Sequence, residues 1–131
     1  MTLSESINGC YTKYAQFQGR ASRSEYWWFF LFVVIIGELI QVAVTLVMQQ
    51  PYLVIDPVTG AVFYTGAFWV TQGISLIVIT IPSVSVMVRR LHDSNKSGWW
   101  WLINLTIIGT VYFLYLLMRK GTAGVNRFGN P

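Results

Sequence analysis

The chain has 131 residues, enough for one compact unit. Hydrophobic residues make up 54% and charged residues 11%, against roughly 25% charged in a soluble domain, so the chain cannot cover a water-facing surface. The net charge of +4 would suggest nucleic acid in a soluble protein. Here the basic residues flank apolar runs: Arg20 and Arg23 before one, Arg89 and Arg90 after another, Arg119 and Lys120 after a third. That placement suits topology determinants and anionic lipid headgroups better, and no nucleic-acid partner is expected. Cys10 is the single cysteine, which excludes an intrachain disulfide, and with one histidine it cannot complete a structural zinc site.

In chain order, Leu3, Ile7, Tyr11, Tyr14 and Phe17 recur at spacings of three or four, the stripe of an amphipathic helix. Thr2-Leu3-Ser4-Glu5 fits a capping box. The expectation is a surface helix over about residues 3–17, lying on the membrane. No apolar stretch precedes it to act as a cleavable signal, so the first span is expected to be the targeting signal. That span is Trp27 to Met48, 22 residues or about 33 Å of helix, opened by Tyr26, Trp27 and Trp28 at the interface. Residues 49–66 hold Pro51, Pro57, Gly60 and Gly66 and no lysine or arginine. Asp56 to Gly60 is a turn signal, and Ala61-Val62-Phe63-Tyr64 beyond it reads as a hairpin or an early helix start. The second span is Phe68 to Val88, with Pro82 expected to kink it. A third apolar run, Trp99 to Met118, follows a short polar loop, and the tail from Arg119 is rich in glycine.

The third run admits two topologies. As a full crossing it leaves six basic residues (Lys13, Arg20, Arg23, Arg89, Arg90, Lys96) on one side and three (Arg119, Lys120, Arg127) on the other. The positive-inside rule then puts the N-terminus in the cytoplasm. If residues 99–118 instead dip and return, turning near Asn104, Thr106 and Gly109, all nine lie inside. Unpaired backbone at membrane depth then has to be buried in protein. The full crossing is the expectation.

Two polar constellations stand out. The first joins Arg20, Arg23 and Glu25 ahead of span one to Arg89, Arg90, His92 and Asp93 behind span two. Glu25 and Asp93 are acceptors for arginine, which can pair bidentately with carboxylate or phosphate. Four arginines against two acids leave positive charge for a lipid phosphate. This reads as a structural cluster or an anionic-headgroup site. A His–Asp pair without a nearby nucleophile or metal is weak evidence for an enzyme. The second constellation is Glu38, in the middle of span one, with Gln41 and, at comparable depth on span two, Gln72 and Ser75. An acid there costs roughly 2.5–3.5 kcal/mol on insertion scales, so Glu38 is expected to face the bundle interior and be hydrogen-bonded in a polar seam. Its alternative role is a proton or ion pathway. No catalytic, cofactor-binding or metal motif is present.

Three ordered blocks resemble the DUF805 family of small bacterial inner-membrane proteins. Gly19, Arg20, Arg23, Glu25, Tyr26 and Trp27 match its first block. Arg89, Arg90, Leu91, His92, Asp93, Ser97, Gly98 and Trp99 match the second. Gly121, Gly124, Asn126, Arg127, Phe128 and Gly129 match the third, and Pro131 fits the tail. The third apolar run departs from the family in lacking a proline, which favours a continuous helix. The resemblance implies the bacterial inner membrane and no known activity.

The reading is therefore a single domain over residues 1–131. It is an all-α integral membrane protein with about three transmembrane helices (27–48, 68–88, 99–118) and an N-terminal amphipathic helix. The expected role is a non-enzymatic module binding anionic phospholipid or a partner protein through the cytoplasmic Arg–His–Asp cluster. A transporter or channel component using Glu38 is the alternative, and an enzyme acting on lipid headgroups is the third. Expected partners are the bilayer and a second copy or another membrane protein.

Overall fold

The computed structural model describes residues 1–130; Pro131, matched above to the tail motif, lies outside them. The chain is mostly helical, with one small β-hairpin. Helix α1 spans Leu3–Thr12, opened by the Thr2–Glu5 capping box, in which each residue's side chain accepts from the other's backbone N–H. It ends earlier than the expected residue 17. The buried residues of α1 are Ser6 and Cys10, while Leu3 and Phe17 of the apolar stripe are exposed. The helix lies close against α2, and small side chains permit that approach: the Ser6 hydroxyl donates to the Glu25 carbonyl at 2.5 Å.

Helix α2 spans Arg23–Met48 and helix α3 spans Gly66–Asp93. Both are long and apolar enough to cross a membrane. Between them, β1 (Leu53–Ile55) and β2 (Val62–Tyr64) pair antiparallel, with Leu53 opposite Tyr64. The turn is closed by Asp56, whose carboxylate accepts from the N–H groups of Val58 and Thr59 at 2.8 and 2.9 Å, and by Gly60 at φ +70°.

Within α3, residues Leu76–Thr80 form a π-helical turn ahead of Pro82. Proline has no N–H, so the carbonyl four residues back, on Val78, loses its α-helical donor, and that of Ile77 loses its π-helical one. Two tyrosines take their place. The Tyr11 hydroxyl donates to the Val78 carbonyl at 3.2 Å, and the Tyr14 hydroxyl donates to that of Ile77. The N-terminal segment thus satisfies the backbone that Pro82 opens.

The third apolar run is not the continuous helix expected. Gly98–Leu105 is a 3-10 helix, the chain turns at Thr106, and α4 runs from Ile107 to Met118. Thr106 caps α4 by accepting from the Gly109 N–H at 3.1 Å. Gly109 has to be glycine because a Cβ there would overlap the Ile103 carbonyl oxygen. Twelve residues of helix reach about 18 Å, short of a 30 Å hydrocarbon core. The run also returns to where it began, since the carbonyls of Leu116, Leu117 and Arg119 lie against Ser94 and Arg90.

The packed core gathers at this same end. Cys10, Ala21, Phe29 and Val86 form one cluster, and Leu91, Phe113, Leu116 and Leu117 a second.

Candidate functional site

The start of α2, the end of α3, the end of α4 and the tail converge on two ion-paired layers. In the first, Arg89 Nη1 donates to Glu25 Oε1 at 2.6 Å, with both side chains buried. Ser22 caps α2 by accepting from the Glu25 N–H at 3.1 Å, and the Ala21 N–H donates to the Arg89 carbonyl at 3.0 Å. These contacts seat the Gly19–Glu25 segment on α3. Cys10 lies beneath them with no solvent exposure. Burial first, and the nearby Glu25 carboxylate second, push its thiol up to about 11, although Arg89 pulls the other way. Cys10 is therefore held as a buried thiol in the core with Ala21, Phe29 and Val86.

Asp93 organises the second layer. Its Oδ1 accepts from Arg20 Nε at 2.9 Å and meets Arg20 Nη2 at 2.7 Å, while its Oδ2 accepts from Arg90 Nη1. The remaining guanidinium donors go to carbonyls. Arg20 donates to Gly124 at 2.6 Å and Thr122 at 2.5 Å in the tail. Arg90 donates to Leu117 at 3.0 Å and to Arg119. Those last carbonyls of α4 have no intrahelical donor and carry the negative end of the helix dipole, so a buried cation there satisfies both.

The tail closes the knot. The Thr122 N–H donates to the Asp93 carbonyl at 2.8 Å, and the Asn126 amide donates to the His92 carbonyl at 2.9 Å. His92 Nδ1–H donates to the Gly19 carbonyl at 3.1 Å. The Phe128 ring stacks on the imidazole, with centroids 3.8 Å apart. Gly121 has to be glycine because a Cβ there would overlap the Asp93 carboxylate.

The structure thus joins Arg20, Glu25, Arg89, Arg90, His92 and Asp93, all of them buried. Their surplus positive charge falls on helix-end and tail carbonyls, where a phosphate had been expected. Arg23 differs. It is exposed, and its one side-chain hydrogen bond among the described residues is to the Met118 carbonyl at 3.4 Å. It stands in an open groove of about 720 Å³ with Ser22, Ser24, Trp27, Trp28, Leu31 and Met118. A second recess of about 280 Å³ shares Ser22 and Arg23 and adds Lys120.

The polar seam does not form. Glu38 and Gln72 are exposed, Gln41 and Ser75 half-buried, and these four share no hydrogen bond among the described residues. Gln72 donates to the Tyr52 hydroxyl at 3.4 Å. Helical phase explains the correction. Buried Glu25 and Phe29 fix the inner face of α2, and at about 100° per residue the nine residues from Phe29 to Glu38 turn the chain half a revolution away. The apolar stripe alone does not show the polar role of Tyr11 and Tyr14. The signal that points to their polar role is a mid-helix proline, whose freed carbonyls need donors.

Among known proteins, the chain is similar to the inner membrane protein YhaI of Escherichia coli K12, 34% identical over 119 residues that cover 89% of this chain and 86% of the relative. It is also similar to the inner membrane protein YhaH of the same organism, 33% identical over 117 residues that cover 88% and 86%. No solved structure matches. Residues 14–130 match the family described as a protein of unknown function, DUF805, and the chain belongs to that family.

Proposed function

We propose that this protein is a non-enzymatic inner-membrane module that binds anionic phospholipid at its cytoplasmic surface. In this reading α2 and α3 are the two spans, and residues 98–118 enter the bilayer and return. The N-terminal segment, the Ser94–Ser97 loop and the tail then share one side. All nine lysines and arginines lie on it, and the hairpin side has none, which by the positive-inside rule makes the basic side cytoplasmic.

The observation that carries lipid binding is the state of Arg23. Arg20, Arg89 and Arg90 are buried in internal pairs, whereas Arg23 faces an open groove. Its guanidinium and the hydroxyls of Ser22 and Ser24 match a phosphate, and Trp27, Trp28 and Leu31 match the interfacial and acyl regions below it. The confinement of His92 between Gly19 and Phe128 supports a non-enzymatic role.

The test is lipid retention by purified protein in mixed phosphatidylglycerol and phosphatidylcholine. The wild type should retain phosphatidylglycerol preferentially, and Arg23→Ala should lower that preference severalfold without changing thermal stability. Equal retention of the two lipids by the wild type, or no change in Arg23→Ala, would overturn the reading.

A further inference from the structure

Glu38 stands unpartnered on the outer face of α2, fifteen residues or about 22 Å along the helix from Arg23. If α2 is a span, as the proposal above holds, that depth lies within the hydrocarbon. Acyl chains offer a carboxyl group no hydrogen bond, and acids in spans generally face protein or water. The rotation of α2 cannot be relaxed to hide it, because Glu25 and Phe29 are locked into the core on the other side.

The residues around Glu38 form a pattern. Leu31, Ile35, Glu38, Val42 and Thr45 are spaced four, three, four and three apart, the 3.5-residue period of a parallel helix pair. Leu31, Ile35 and Val42 are 44%, 52% and 55% exposed. The one acid in this seam holds the kind of position at which a buried polar residue fixes register and copy number. A twofold axis along the seam sets Glu38 against its own counterpart. Gln41, one turn on, supplies amide N–H groups that donate to the Glu38 carboxyl of the opposite helix, and symmetry makes the contact twice. The polar complement that lipid lacks is therefore carried by a second copy of the same chain.

We infer that the protein forms a parallel homodimer through the Leu31–Thr45 face of α2, with Glu38 and Gln41 hydrogen-bonded across the twofold axis.

The experiment uses full-length protein with Cys10→Ser, reconstituted in phosphatidylethanolamine and phosphatidylglycerol vesicles, and oxidative cross-linking of single cysteines. Ile35→Cys and Val42→Cys should form disulfide-linked dimers, and Val70→Cys, exposed on α3, should not. In the Val42→Cys protein, adding Glu38→Leu should reduce the cross-linked fraction about tenfold, the scale of two interhelical hydrogen bonds, and Glu38→Gln should preserve it. Glu38→Leu removes an acid from a span, so loss of insertion is not its expected effect. Absence of dimers at residues 35 and 42, or dimers indifferent to Glu38→Leu, would overturn the inference. Cross-linking in cells only to other proteins would do the same. Vesicle-side labelling of a cysteine at Val58 in the same preparations reports whether α2 and α3 span, so a failed dimer is separable from a failed topology.

Discussion

At the arginine end, three guanidinium groups and two carboxylates are buried. Arg20 and Arg90 give their donors to Asp93 and to carbonyls, whereas Arg89 pairs through Nη1 with Glu25 and leaves Nε and Nη2 buried without a partner among the described residues. At the opposite end, all six strand residues of the Leu53–Tyr64 hairpin are exposed, and Tyr52 and Tyr64 pack against Phe68. One end is held by ion pairs that reach across up to 73 residues of sequence, the other by a local turn. The contrast teaches where the tertiary structure is specified. Two apolar helices have little reason to choose an orientation in lipid, and a buried ionic knot supplies one. The knot is also where removing a single group should do most harm, because breaking one side of a buried pair strands the other.

The largest expected effect is at Arg90. Arg90→Ala removes a partner from Asp93 and the cap from the end of α4, and should cost about 3–5 kcal/mol. Thermal unfolding in detergent measures it. A loss close to that of the exposed Arg23→Ala would show that burial of the pair carries no extra weight.

Tyr11→Phe and Tyr14→Phe come next. Each removes a hydroxyl donor from a carbonyl freed by Pro82, at about 0.5–1.5 kcal/mol each. In a Pro82→Ala background a regular helix can supply its own N–H groups, so the tyrosine substitutions should cost less. A double-mutant cycle reads that coupling, and full additivity would refute it.

The smallest effect belongs to the hairpin. The N–H groups of Thr59 and Val58, in that order, hold the Asp56 carboxyl below its usual value. A lowered folded pKa gives a turn stabilised above the unfolded value near 3.9 and weakened as pH falls through the folded one. Acidification should therefore speed amide exchange at Val58 and Thr59, with α2 and α3 unchanged. Exchange that is flat across that range would remove Asp56 as the clasp.

Much of this organisation is legible in the residues themselves. The two long apolar helices follow from their apolar runs, and the hairpin from Asp56-Pro57-Val58-Thr59-Gly60. Glu25 and Asp93 are visible as acceptors and the arginines as donors. Their assignment is not, since Arg89 turns to Glu25 and Arg90 to Asp93 through helical phase set by packing. No proline interrupts Trp99–Met118, so the residues alone favour a continuous helix over a return. Thr106 as a cap and Gly109 under the Ile103 carbonyl do the work of a breaker instead. The carbonyls that absorb surplus arginine charge leave no trace in side-chain sequence, which is why a phosphate was the expected counterion. Depth alone sets Glu38 beside Gln72, whereas rotation counted from Phe29 sets it on the outer face of α2.

The central claim is that the third apolar run returns, so that the tail packs on Asp93 at the same side as the arginine layers. Paired single-cysteine labelling tests it most directly, in a Cys10→Ser background. Val125, in the tail, and Val58, in the hairpin, are 73% and 91% exposed, so either would react with a membrane-impermeant thiol reagent on its own side. In intact cells Val58→Cys should label and Val125→Cys should label only after the membrane is permeabilised. Labelling of Val125→Cys in intact cells alongside Val58→Cys would place the tail across the membrane from the knot and contradict the account.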